Sequence, residues 1–218
     1  MKNITIAFFI LATITSCNDD ILEYSCNPDV NKFVKTNILI LSQINLDEFN
    51  QMSNLLQRAT FRSYSPEKRF ELWTEKLEKM LAIEPLTELE AIHIEKLINH
   101  LSIESFISNE EGDPLRIQNE IFSINWQDYA LNSLKWDKAR LAFVISSLFI
   151  SEADYKYSLN QAKIEPKQLT VPVYDCGCNT GTNFCDSYTN GNCVEGNCNS
   201  SASGCGWVWM EECNGQCY

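Results

Sequence analysis

Apolar positions recur with a helical period through most of the chain. After Asp47-Glu48, the residues Phe49, Met52, Leu55 and Leu56 share one face. Ser65-Pro66-Glu67 has the form of a helix start: a hydroxyl N-cap, proline at the first helical position and an acid in the first turn. Phe70, Trp73, Leu77 and Met80-Leu81 then line one stripe. Thr87-Glu88-Leu89-Glu90 is a capping box, because the carboxylate follows the hydroxyl at the spacing that lets each cap the other's backbone N–H. It opens a helix with Leu89, Ile92, Leu97 and Leu101 facing inward. Residues 109–114 (NEEGDP) break the pattern. Two more helices are expected over 115–133 and 136–151, the second apolar at Leu141, Val144, Ile145, Leu148 and Phe149. Val34 to Ile44 fits a strand or an early helix. About five helices with short connections make a bundle over residues 28–160.

The two ends depart from this pattern. Lys2 and the apolar run Ile4 to Ile14 read as an export signal, too short to span a bilayer as an ordinary helix. Thr15-Ser16-Cys17 resembles a bacterial lipobox, which implies that residues 1–16 are a lipoprotein signal peptide and that Cys17 is lipidated as the mature N-terminus. Residues 17–27 then form a lipidated linker. Several acyl chains on one cysteine supply the stable anchoring that a single chain does not. Asn18-Asp19-Asp20 fits a surface-export signal or a solvated linker. The expected location is the outer membrane or cell surface, lipid-anchored, where disulfides persist.

At the other end, residues 161–173 carry Pro166 and Pro172 and read as an extended linker, with Lys163 and Lys167 open to nicking. Eight of the ten cysteines follow: Cys176, Cys178, Cys185, Cys193, Cys198, Cys205, Cys213 and Cys217. Seven of the eight glycines lie there too. Asn190-Gly191 and Asn214-Gly215 mark tight turns. Val171 to Tyr174 and Trp207 to Met210 are the strand-like runs. Residues 174–218 therefore read as a small β and loop module stapled by disulfides, since so short a segment buries little core of its own. Eight cysteines admit 105 pairings, and spacing does not choose among them. Cys26 is open to pairing with the tail or to burial as a free thiol.

Charge narrows the partners. The chain carries a net charge of −12. The tail holds Asp175, Asp186, Glu195, Glu211 and Glu212 and no lysine or arginine. That excludes a nucleic-acid partner, whose phosphates need basic residues, and a cationic membrane-lytic peptide. Zinc fits poorly, since Cys176 and Cys178 stand too close for a paired knuckle. His93 and His100 are the only histidines. Glu90 and His93 have the spacing of one half of a di-iron helix motif, but the matching second half is missing. Trp73, Trp126 and Trp136 read as core anchors. No nucleophile motif stands out, so no enzyme activity, cofactor or metal is expected.

One stretch of the tail is distinctive. Cys176-Gly177-Cys178, Cys185, Cys193 and Cys198, then Ser203-Gly204-Cys205-Gly206-Trp207-Val208-Trp209 and Cys213-Asn214-Gly215, resemble the fulvocin C bacteriocins. The segment from Tyr64 to Trp73 is similar to a motif of the longer bacteriocin fulvocin C-related proteins. The pattern departs at Glu211 and Cys217, where those bacteriocins end on a close cysteine pair. The resemblance implies an exported lipoprotein whose tail is an antibacterial effector, open to release by proteolysis. Trp207 and Trp209 would then be exposed aromatics that meet a target bacterial membrane or receptor. The alternative is a non-toxic surface lipoprotein with the tail as a binding or structural module.

Overall fold

The computed structural model describes residues 24–25, 27–107, 113–164, 178–181, 192–195 and 201–217. The helices among them are α1 (Pro28–Leu41), α2 (Leu46–Asn50), α3 (Asn54–Ser63), α4 (Pro66–Ile83), α5 (Glu88–His100), α6 (Pro114–Asn132), α7 (Lys138–Ser146) and α8 (Glu152–Ile164). The molecule is mainly helical, with a small strand and disulfide region at its C-terminal end. No helix among the described residues is long and apolar enough to cross a membrane. Its disulfides fit an oxidising compartment.

The caps form as the sequence reads. Ser65 accepts from the Lys68 N–H ahead of α4, and the Thr87–Glu90 capping box makes both of its bonds ahead of α5. The ambiguous segment from Val34 is helical. Asn27 caps α1, and Val34 and Leu41 pack against Ala59 of α3.

Two details differ from expectation. The helix expected over 136–151 is shorter, α7 covering Lys138–Ser146, and a further helix, α8, runs from Glu152 to Ile164. The Ser146 and Ser147 hydroxyls donate to the Ala142 and Phe143 carbonyls, a local alternative to continuing the helix. α8 thus reaches into the stretch expected to be linker. In α5 the inward face is rotated: Leu89 is 60% and Ile92 41% exposed, while His93, Ile94 and Leu97 are buried. Glu90 leans toward Trp136 and Arg140, and this polar contact fixes which side of α5 faces in.

One main core gathers Phe49, Phe61, Trp73, Met80, Leu97 and Trp126 from successive helices. The tail joins it. Strands β1 (Cys193–Glu195), β2 (Ser201–Cys205), β3 (Glu211–Cys213) and β4 (Gly215–Cys217) make two antiparallel ribbons, β1 with β4 and β2 with β3. Such ribbons are marginal alone. Here Cys205–Cys213 ties β2 to β3, and Cys178–Cys193 ties the start of the region to β1. The Cys178 backbone also bonds to Gly215, whose missing Cβ would sit 2.6 Å from the Cys193 sulfur. Cys17, Cys26, Cys176, Cys185 and Cys198 lie outside the described residues.

The run Trp207 to Met210 is not a strand. Trp207–Trp209 forms a 3-10 turn with Val208 at φ 40° and Trp209 at φ 57°. Positive φ at a β-branched and an aromatic residue is strained, and it persists because the surrounding packing fixes it. Gly206, at φ 65°, enters this turn beside Glu211, which leaves no room for a Cβ. The Glu211 carboxylate accepts from the Trp207 N–H at 3.1 Å.

Candidate functional site

The site most developed in this structure is the seat of the tail on the helices. α3 begins at its Ser53 cap and places Arg58 and Arg62 one turn apart, on the face toward the tail. Arg62 donates from Nε to the Ser203 carbonyl at 3.1 Å and from Nη1 to the Tyr24 carbonyl at 3.0 Å. Its Nη2 lies 3.3 Å from the Cys213 sulfur. Arg58 donates from Nη1 to the Gly204 carbonyl, and the same nitrogen lies 3.2 Å from the Cys205 sulfur. Gly204, at φ 103°, packs directly on the Arg62 guanidinium. The two arginines therefore hold the β2 backbone and both sulfurs of the Cys205–Cys213 bridge. In an acidic chain with no basic residue in its tail, this is where the opposite charge is supplied.

Below the bridge, the Trp207–Trp209 turn enters the core. Trp207 is 2%, Val208 0% and Trp209 3% exposed. Both tryptophans were expected at the surface as contact residues, and the structure corrects this. Burying an aromatic side chain is worth about 1.5–3 kcal/mol, and α3, α4, α6 and α7 offer a closed apolar seat. Trp209 meets Phe61 edge-on at 5.1 Å and Trp73 at 6.1 Å, with the Arg58 guanidinium 5.2 Å from its ring centre. Its indole N–H donates to the Ser146 carbonyl at the end of α7. Trp207 packs edge-on against Trp126 at 5.3 Å and Phe122 at 6.2 Å. Residues 201–213 are thus part of the helical body, in contrast to the separate module that the cysteine spacing implied. Sequence reasoning missed Arg58 and Arg62. Their only signal was their spacing on an otherwise unremarkable helix.

The outer part of the tail is more open. Val194 is 47% exposed, and Glu195 and Thr180 are exposed beside the Cys178–Cys193 bridge. Asn214 holds this end together by accepting from the Thr180 N–H at 2.8 Å. Cys217 enters through its backbone, as a partner of Cys193 in the β1–β4 ribbon.

The histidines serve packing. His93 stacks on Trp126 at 4.1 Å, with Nε2 at 3.1 Å from the Trp126 carbonyl. Trp126 answers by donating to the His93 carbonyl. Burial pushes the His93 imidazole down to about 4. Glu90 accepts from the Trp136 indole at 2.6 Å and pairs with Arg140. His100 stacks on Phe122 and lies 2.9 Å from Asn119 Oδ1. Among the described residues, no three His, Cys, Asp or Glu side chains are gathered as a metal site.

Lys76 is the one fully buried lysine among the described residues. Its ammonium group donates to the Phe143 carbonyl at 3.2 Å and to the Val144 carbonyl, both in the last turn of α7. Burial holds its pKa well below the ordinary lysine value, with Glu84 opposing that shift. Lys76 and Trp209 between them satisfy carbonyls that the end of a helix leaves without partners. No family model matches this chain, and neither a curated protein nor a solved structure matches it.

Proposed function

We propose that this is an exported, lipid-anchored bacterial protein related to the fulvocin C bacteriocins, and that its helical body displays the stapled tail at the cell surface. The observation that carries this reading is the seat of Trp207 and Trp209 in the helical core. A tail held by two buried tryptophans and two arginines is built to stay. Its outer ribbon, with Val194, Glu195 and Thr180 exposed, is the part presented to a partner. Residues 1–16 serve export, and Cys17 provides the membrane anchor. The protein is not an enzyme in this reading, and it requires no cofactor. The remaining cysteines, Cys176, Cys185, Cys198 and Cys217, complete the stapling of the tail.

Intact mass of the mature protein, with and without alkylation, tests the anchor and the bridges together. The expected product begins at a lipidated Cys17 and has its tail cysteines oxidised. A product that begins elsewhere, without lipid, overturns the anchoring.

A second reading has its own support. The most distinctive part of the stretch that resembles fulvocin C, from Ser203 to Cys213, is also the part seated on the helices. In that reading the helices mask an antibacterial effector until it is released. Growth inhibition by chain cleaved within 165–177, but not by intact chain, is its expected signature. Equal inactivity of both forms favours display.

A further inference from the structure

We propose that Arg58 and Arg62 favour ionisation within the Cys205 and Cys213 thiol pair of the reduced chain, so that the helical body templates the oxidation of its own tail. The geometry is specific. Each sulfur of the bridge has a guanidinium nitrogen beside it, at 3.2 Å for Cys205 and 3.3 Å for Cys213. The same arginines bind the Ser203 and Gly204 carbonyls, which fixes their positions relative to β2. Both cysteines are buried in the finished bridge, at 1% and 0% exposure, so bulk water screens the cations little, and the fixed guanidinium nitrogens offset the cost that burial sets on an ionised sulfur.

A fixed cation beside a thiol favours its ionised form, and the thiolate is the nucleophile of disulfide exchange. A tail with eight cysteines has many wrong pairings open to it. The seat on α3 restricts them by bringing two particular sulfurs together under two positive charges. As the tail docks, while the pair is still open to solvent, one cysteine loses its proton to solvent. That thiolate attacks a sulfur of a disulfide oxidant, either a protein disulfide or glutathione disulfide, and expels the other half as a thiolate. The second cysteine then loses its proton and, as a thiolate, attacks the mixed disulfide and expels the remaining half. Two electrons pass from the cysteine pair to the oxidant, which leaves as two thiolates.

This inference does not depend on the display reading. It concerns how the tail is made, whichever role the finished tail serves.

The test follows thiolate ultraviolet absorbance against pH in the reduced full-length chain. A reduced C205S/C213S chain is subtracted to isolate this pair. The expected midpoint lies at least about one unit below the ordinary thiol value of about 8.5. It should return to that value in denaturant and in R58Q/R62Q, while R58K/R62K keeps it low. A midpoint near the ordinary value in the native reduced chain overturns the proposal. So does a low midpoint that survives in a folded R58Q/R62Q chain. If R58Q/R62Q does not fold, the native and denatured wild-type profiles decide: a lower native midpoint supports the proposal, and an equal or higher one overturns it.

Discussion

Trp209 donates its indole N–H to the Ser146 carbonyl at 2.9 Å, across 63 positions of sequence. That bond joins the tail to the last residue of α7, where backbone carbonyls lack helical partners. It also orients the ring against Phe61 and Trp73. Trp209→Ala removes the bond and leaves a large void between α3, α4 and α7. The expected cost is about 3–5 kcal/mol. Urea unfolding followed by circular dichroism measures it. A loss under 1 kcal/mol, well below that range, would mean that the helices do not depend on the tail.

Lys76 holds the same helix end from the other side. Lys76→Met removes a donor from the Val144 carbonyl, with an expected cost of about 1–3 kcal/mol. The pH dependence gives a second signature. The folded pKa is depressed, so on approach to the ordinary lysine value the unfolded chain binds more protons than the folded one. Stability from this group therefore rises with pH in that window. The gap between wild type and Lys76→Met should widen from neutral to alkaline pH. A gap that stays constant would contradict the buried placement.

His93 produces the same sign in acid. Its folded value of about 4 lies below the ordinary imidazole value of 6.5. The neutral ring's contribution is complete above 6.5 and is lost as pH falls toward 4, because the unfolded chain protonates first. Urea midpoints at neutral and mildly acidic pH should fall more in wild type than in His93→Gln. Parallel falls would remove His93 as the cause.

The Cys205–Cys213 bridge spans eight positions. Closing so short a loop restricts the unfolded chain modestly, so C205A/C213A should lose about 2–3 kcal/mol. Thermal unfolding under non-reducing conditions measures this. An unchanged transition would show that the tryptophans and arginines hold the tail without the bridge.

The helices were legible because their signals are local. Ser65-Pro66 and the Thr87–Glu90 box are set by neighbours within one turn, and both form as read. The face of α5 was harder to read. Leu89 and Ile92 are apolar yet exposed, while His93 is buried on a tryptophan stack supplied by α6. The seat of the tail was not legible. Trp207-Val208-Trp209 looks like a strand in isolation, and only α3, α4, α6 and α7, far away in sequence, turn it inward. Arg58 and Arg62 reveal nothing until Ser203 and Gly204 lie against them. The bridge partners needed the fold as well, since spacing alone left every pairing open.

The central claim is that the tail is seated in the helical body rather than merely tethered to it. The most direct measurement is size-exclusion chromatography of the oxidised chain after cleavage at a protease site engineered within 165–177. Under native conditions the account expects the two fragments to elute together, and to separate only when denaturant is added. A tail fragment that elutes alone under native conditions, leaving folded helices behind, would contradict it.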